Sequence, residues 1–347
     1  LGRKCRSNFE FSSLNSEINS PSIFDLSSSA VILLLAAIVD YLIGDPWNWL
    51  HPVQVMGWII SHCTQFGINY FQEKWQRRLA GMILGLGLII GSGLIGWLIV
   101  RGATWIHPLL GIVIEIVLLA SCFAGCSLRR AALDVLQPLS LGEIELARSN
   151  LSQYVGRDTN DLCESEILRA ILETVAENTP DGVTAPLFYA ITGAFLPGVG
   201  SVPLALAYKA ASTLDSMIGY RKEPYTDLGW FSAQLEDRLT WLPCRLTVLT
   251  LALISRKPRR VLQVCRRDAL KDPSPNSGWS ECVYAAILGV QLGGTNVYGG
   301  VVKSKPLLGD RVYPITPETI VRALHLTRSC FLIWLVFALV GLILSGL

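Results

Sequence analysis

Residues 79–100 read Leu-Ala-Gly-Met-Ile-Leu-Gly-Leu-Gly-Leu-Ile-Ile-Gly-Ser-Gly-Leu-Ile-Gly-Trp-Leu-Ile-Val. These 22 residues carry no charge. A bilayer-spanning helix needs ~20 apolar residues, so the run is long enough to cross. Gly81, Gly85, Gly87, Gly91, Gly93 and Gly96 permit close helix packing, and two pairs, Gly81/Gly85 and Gly87/Gly91, have GxxxG spacing.

The remainder of the 347-residue chain agrees. It is 51% hydrophobic and 16% charged, with a mean hydropathy of +0.44, whereas soluble domains are about 25% charged. The expected fold is mainly α: a polytopic integral membrane protein with five to seven membrane-embedded helices. A net charge of +2 gives no overall attraction to nucleic acid, so basic residues matter locally, for topology. The nine cysteines are scattered, with no CxxC. Free thiols suit a reducing cytosolic face better than a disulfide framework. Cys122 and Cys126, one helical turn apart, read as small packing residues.

Upstream of the decisive run, residues 1–28 read as a loose polar tail, and 29–347 as a single membrane domain. Residues 29–43 form a short apolar helix that is retained, because no small-residue cleavage site follows it. Residues 44–53, with two prolines and two tryptophans, make a structured interfacial turn. Residues 53–78 are amphipathic and close with Lys74, Arg77 and Arg78.

Downstream, residues 108–125 are apolar except for Glu115, which suits either function or a packed helix-end hydrogen bond. Residues 127–181 read as a cytosolic helical insert with helices near 128–137, 141–154 and 162–178, and with Ser140 and Glu143 spaced as a capping box. The apolar run 183–206 is interrupted by Pro186, Pro197, Gly198, Gly200 and Pro203, which favours a broken hairpin. Residues 207–280 hold a polar segment, a marginal span at 239–255 and a basic cluster from Arg256 to Lys271. That cluster reads as a positive-inside anchor, an anion-attracting patch, or both. A short helix at 281–294, a polar connector at 303–328 and a C-terminal helix at 330–347 complete the chain.

Chemistry concentrates between Glu173 and Asp237. Glu173 and Glu177, four apart, share a helix face, and Asp181 follows Pro180, where the helix is expected to end. Three carboxylates at a helix end suit Mg²⁺ through oxygen ligands and water; a solvated acidic face is the plainer alternative. Asp215, Asp227, Glu236 and Asp237 extend the acidic set. Lys209, Arg221 and Lys222 could meet phosphate or simply pair with these acids. The loop 272–279 precedes a helix expected near Ser280 and could bind an anion there, or Ser280 could cap. No nucleotide-binding GxxxxGK[ST] or GxGxxG, no HExxH and no GxSxG occurs. His51, His62, His107 and His325 lack metal-ligand spacing.

Several blocks then follow in order: Gly44-Asp45-Pro46 with His51-Pro52-Val53; 173–182, ETVAENTPDG; 185–189, APLFY; Tyr208-Lys209-Ala210; 213–220, TLDSMIGY; Gly229-Trp230; Pro243 with Arg245; 274–279, SPNSGW; and Leu292-Gly293-Gly294. Together they resemble the CobD/CbiB family, the adenosylcobinamide-phosphate synthases of cobalamin (vitamin B12) biosynthesis, over roughly residues 31–340. The resemblance implies ATP-dependent amide formation between adenosylcobyric acid and (R)-1-aminopropan-2-ol or its O-phosphate, with Mg²⁺. From that reaction, chemical inference assigns Glu173, Glu177 and Asp181 to Mg²⁺, Lys209 and Arg221 to phosphate, and Asp215 to the amine. Asp45, His51, Asn178, Tyr208, Asn276, Gly278 and Trp279 are expected to contact substrate.

The expected partners are the corrinoid, the aminopropanol or its phosphate, membrane lipid and other enzymes of the pathway, with the site facing the cytosol from the cell membrane. Two other readings stay open. A corrinoid transporter should show matching interrupted segments in two halves, and one is evident, at 183–206. A non-catalytic membrane scaffold should tolerate charge-neutral changes at Glu177 or Asp181.

Overall fold

The computed structural model describes residues 29–44, 51–220 and 222–346. The expected N-terminal tail therefore lies outside the described residues. The chain begins with α1 (Ser29–Leu42), α2 (Pro52–Tyr70), α3 (Lys74–Ile106), α4 (Pro108–Ala120), α5 (Gly125–Ser140), α6 (Ile144–Leu151) and α7 (Glu164–Asn178). A π-helical turn, Thr179–Thr184, leads into α8 (Ala185–Ala194) and α9 (Ser201–Ile218). Then come α10 (Tyr225–Leu228), α11 (Trp230–Ile254), α12 (Pro258–Asp268) and α13 (Ser277–Leu288). An antiparallel hairpin of β1 (Leu292–Tyr298) and β2 (Val301–Leu308) precedes α14 (Pro317–Ser345).

Two helices, α3 and α14, are long and apolar enough to cross a membrane; there are three such spans if α4 and α5, bent by 41° at their break, count as one. The count of five to seven embedded helices is not reached by length and composition. The shortfall is physical: α1 has 14 residues, less than a ~20-residue span. The 183–206 run does divide into two helices, α8 and α9, around Phe195–Gly200.

Two cores organise the molecule. One joins α1–α4, α8 and α9, and includes Leu33, Ile60, Leu119, Leu187 and Leu214. The other joins α5–α7, α11–α13, the hairpin and the start of α14, and includes Val135, Ile167, Leu172, Tyr284 and Ile320. The glycine stripe of α3 explains part of the first. A Cβ on Gly81 would lie 1.9 Å from the Leu228 carbonyl oxygen, and one on Gly85 would lie 2.8 Å from the Phe231 ring. Nothing lies within 4 Å of a Cβ on Gly87 or Gly91. Of the two GxxxG pairs, the first is therefore a packing contact.

Proline reads as a helix breaker, yet Pro138 and Pro243 lie inside helices. A proline removes the bond to the carbonyl four residues back. In both places a side chain replaces it. Asn150 Nδ2 donates to the Asp134 carbonyl at 2.7 Å, and the Tyr189 hydroxyl donates to the Leu239 carbonyl at 2.9 Å. α11 runs through Pro243 as expected but starts at Trp230 rather than near residue 239. The Ser140–Glu143 capping box does not form: Ser140 ends α5, its hydroxyl donating to the Gln137 carbonyl at 2.7 Å. The expected polar connector contains β2, and Gly293-Gly294 belongs to β1 rather than to a helix end. The eight cysteines among the described residues are free thiols, with Cys122 and Cys126 buried as packing residues.

Candidate active site

Glu173 and Glu177 stand one turn apart on α7 and meet opposite surroundings. Glu173 is 1% exposed. Arg157 pairs with its Oε2. Arg169 Nη1 lies 3.3 Å from Oε1, and the Gly293 backbone N–H donates to Oε1 at 2.9 Å. Both arginines also donate to Asn296 Oδ1, at 2.8 and 3.1 Å. Glu173 thus fastens α7 to β1. Its oxygens are occupied by two guanidinium groups and an amide, which corrects its assignment as a metal ligand.

Glu177 is exposed. The helix does not stop at Pro180: the Ala176 carbonyl that its missing N–H would have met accepts from the Ser280 hydroxyl instead. The Thr179 hydroxyl donates to the Val175 carbonyl at 2.7 Å, and Thr184 and Thr247 hydroxyls meet at 2.7 Å, fixing this wide turn between α7, α8 and α11. Single π turns in α-helices occur often at functional sites. This one carries Asp181, which shares an electrostatic environment with Glu236, Glu177, Asp215 and Asp237. Four elements contribute: α7, the π turn, α9 and α11.

Burial and neighbouring acids raise three of these carboxyls, Asp181, Asp215 and Glu236. Burial and then Glu236, Glu177, Asp215 and Asp237 hold the Asp181 carboxyl well above the usual range. Burial, Asp237 and Glu177 push Asp215 up to about 6. Burial, with Asp215 and Asp237, pushes Glu236 up to about 7 against hydrogen bonds from Thr240 and Tyr208. A carboxylic acid titrating near neutrality can hold or take a proton during catalysis.

A cation borders this group that sequence reasoning missed. Lys305, on β2, pairs with the fully buried Glu281 at 3.1 Å. Burial works against its charge, but Glu281, Glu177 and Glu173 outweigh this and hold its pKa above the ordinary lysine value. The available signal was Gly299-Gly300 between Val297-Tyr298 and Val301-Val302, a hairpin pattern. Both glycines have positive φ, 56° and 77°, and their N–H groups donate to Asp158 at 2.9 and 2.8 Å.

The other expected residues divide. Lys209 is half-buried on α9, and no ion pair of its side chain forms among the described residues. Tyr208 is 1% exposed; it stacks on Tyr189 at 4.9 Å and its hydroxyl meets Thr240 at 2.7 Å, so it supports Glu236 rather than presenting itself to a substrate. Asn178 is exposed, its amide donating back to the Thr174 carbonyl at 2.9 Å. His51 caps α2, its Nδ1 accepting from the Val53 N–H at 3.3 Å. Asn276 is buried and donates to the Asp237 carbonyl at 2.8 Å, so the loop 272–279 does join the acid group through α11. Trp279 lies under the Arg245 guanidinium, 4.6 Å from its ring centroid. Gly278 is a close-packing position: a Cβ there would lie 2.4 Å from the Ala269 carbonyl oxygen, which corrects its assignment to substrate contact. Ser280 lies inside α13 and bonds the Ala176 carbonyl instead of capping. Asp227 is tied to Arg78 at 2.8 Å. Asp45 and Arg221 lie outside the described residues.

Among the described residues, no three His, Cys, Asp or Glu side chains are grouped closely enough to hold a metal ion directly. The donor chemistry nevertheless fits Mg²⁺, which favours carboxylate oxygens and keeps several of its waters. Glu177 and Asp181 offer such oxygens, and burial with the neighbouring acids holds the Asp181 carboxyl above the usual range.

Long apolar helices joined to a polar, acid-rich interior define a mainly helical membrane-type protein. Residues 33–327 match the family model described as CobD/Cbib protein. The chain is 56% identical over 312 residues to the cobalamin biosynthesis protein CobD of Synechocystis sp., covering 90% of this chain and 91% of that one. It is 40% identical over 322 residues to the CobD of Halalkalibacterium halodurans, covering 90% and 96%. It is 39% identical over 296 residues to the cobalamin biosynthesis protein CbiB of Salmonella arizonae, covering 84% and 91%. No solved structure matches the chain. The chain belongs to the CobD/CbiB family of cobalamin biosynthesis proteins.

Proposed function

We propose that this chain is an acid–amine ligase that joins adenosylcobyric acid to (R)-1-aminopropan-2-ol or its O-phosphate, consuming ATP. The observation that carries the reading is Asp215, a half-buried carboxyl raised to about 6 within a group of acids from four elements. An amide bond needs an activated carboxyl group and an amine free of its extra proton. A carboxylate oxygen of the substrate attacks the γ-phosphorus of ATP and ADP leaves. The amine nitrogen then attacks the acyl carbon, inorganic phosphate leaves, and Asp215 takes the amine proton.

Lys305 and Lys209 supply positive charge for the phosphoryl oxygens. Glu177 and Asp181 would hold Mg²⁺, which supplies charge compensation to the triphosphate when bound. Glu236, positioned by Tyr208 and Thr240, adds to burial in holding the Asp181 carboxyl above the usual range. Trp279 and Arg245 offer a planar, cationic wall beside the loop that reaches Asp237.

The test is purified protein in detergent with adenosylcobyric acid, either amine and ATP-Mg²⁺, read by product mass and ADP release. The expected product has the mass of acid plus amine less one water, with one ADP per amide. Corrinoid movement across vesicles with no covalent product would overturn the reading in favour of a carrier.

A further inference from the structure

α1, the start of α5 and the first half of α14 do not close against one another. They leave a cavity of about 470 Å³, within the ~300–1,000 Å³ typical of small-ligand sites. Its walls are largely apolar, with Leu34, Ile38, Leu133, Phe331, Leu332 and Leu335 among them. Polar groups gather at one end. The guanidinium groups of Arg129 and Arg328 lie over the Tyr41 ring, 4.6 and 4.5 Å from its centroid. Arg129 also donates to the Tyr41 carbonyl at 3.2 Å, and His325 lines the same cavity. Among the described residues, neither arginine is ion-paired with a carboxylate. The one acid lining the cavity, Asp40, is 6% exposed and lies against Gly125, where an added Cβ would be 2.9 Å from its Oδ2.

The placement along α14 identifies what would enter. Arg322, His325 and Arg328 occupy its first turns, and an uncharged run follows from Ser329 to the end of the helix. Tyr41 and the two arginines therefore stand at the membrane–water boundary, where aromatic rings and basic side chains concentrate, and Leu332 and Leu335 lie deeper. Leu34, Leu42 and Leu332 at the cavity's edge are exposed. A water-soluble anion would have to enter past these leucines. A neutral hydrocarbon would leave two guanidinium groups uncompensated at the cavity's end.

We propose that this cavity binds an anionic phospholipid, with one acyl chain against the leucines and the headgroup phosphate on Arg129 and Arg328. The site is separate from the acid group and does not depend on the reaction proposed above. A zwitterionic lipid offers the same phosphate but adds a cation beside the two arginines, so it binds less tightly.

The test uses the full chain, purified in neutral detergent and stripped of lipid. Bound lipid is counted by native mass spectrometry, and thermal unfolding is followed with phosphatidylglycerol, phosphatidylcholine or inorganic phosphate. Phosphatidylglycerol is expected to be retained about thirtyfold more tightly than phosphatidylcholine, the effect of two basic side chains near an anionic headgroup. Inorganic phosphate at the same concentration should leave the unfolding midpoint unmoved. Arg129→Gln with Arg328→Gln should abolish the preference, and Leu332→Trp should expel the lipid by filling the cavity. Arg259→Gln with Arg260→Gln, two exposed side chains on α12, should keep it. Equal retention of the two lipids by the wild-type chain would overturn the proposal, as would an equal response to inorganic phosphate. The wild-type comparison decides the matter even where a variant fails to fold.

Discussion

Glu173 and Glu177 occupy the same face of one helix, four residues apart, yet one is neutralised and the other is not. Glu173 receives two arginines and a backbone N–H in a fully buried setting. Glu177 is exposed and joins Asp181, Asp215, Glu236 and Asp237, and burial together with neighbouring acids raises the pKa of Asp181, Asp215 and Glu236. The first arrangement spends its charge on holding a hairpin to a helix. The second keeps charge unspent, at a cost in stability, and that is what a site must do to bind a cation or move a proton. Acidic residues on one helix face therefore say little about function until their partners are known.

The sharpest way to break this contrast is Glu173→Gln. It strands Arg157, 8% exposed, beside Arg169 and Asn296. Removing one partner of a buried pair costs roughly 3–5 kcal/mol. The expected outcome is a large drop in unfolding midpoint and loss of the folded hairpin, followed by thermal denaturation in detergent and by hydrogen exchange at Thr295–Val302. A near-normal midpoint would mean that the pair contributes nothing to the fold.

Asp181→Asn should do the opposite. It removes an acid whose ionisation the fold resists, so stability at neutral pH should hold or rise. Amide formation should fall by about 10²-fold or more, as for loss of a group that holds charge or protons in the transition state. Product mass and melting curve on the same sample separate the two effects. Full activity in folded Asp181→Asn would remove this residue from the site.

The contrast explains what the sequence could and could not reveal. The uncharged run 79–100 and its glycines required a packed apolar helix, and α3 is that helix. The acid cluster was legible as a concentration of Glu and Asp between apolar segments. Which acid would be neutralised was not, because Arg157 reaches Glu173 from 16 residues upstream and the Gly293 N–H reaches it from a hairpin 120 residues downstream. Lys305 was hidden for the same reason: its meaning depends on a hairpin that folds back over α7 and α13. The charged run Glu236-Asp237-Arg238 hid the start of α11, which begins at Trp230, because Glu236 is buried against Thr240 and Tyr208 rather than left in water. Local patterns set the helices; partners brought from far along the chain set the roles.

Titration should sharpen the contrast further. Asp215, with an ordinary value of 3.8, sits at about 6, and Glu236, with 4.5, at about 7. Raised acids bind more protons in the folded than in the unfolded state, so stability falls as pH rises. The fall should begin near the unfolded values and level off above pH 7. Melting midpoints between pH 4 and 8 should show it, and Asp215→Asn should flatten the lower part. Added Mg²⁺ should flatten it as well, because a bound cation favours the ionised carboxylates. Amide formation should instead rise through pH 6 as Asp215 loses its proton. A midpoint that climbs from pH 4 to 8 would sink the raised assignments.

Tyr208→Phe offers the smallest and most discriminating change. The hydroxyl meets Thr240 at 2.7 Å and reaches Glu236 at 3.5 Å, while the ring stacks on Tyr189. The phenylalanine ring keeps the stack, and Thr240 still bonds Glu236, so no buried acceptor is stranded. The loss should be about 1 kcal/mol, the net worth of an ordinary hydrogen bond. Glu236 loses a donor that lowers its pKa, so the upper end of the pH-dependent fall should move to higher pH while amide formation stays within about twofold at pH 8. Those two readouts together mark Tyr208 as a support for the acid group. Loss of activity with an unchanged melting profile would place its hydroxyl on the substrate and move the border between the spent and unspent charges one residue layer inward.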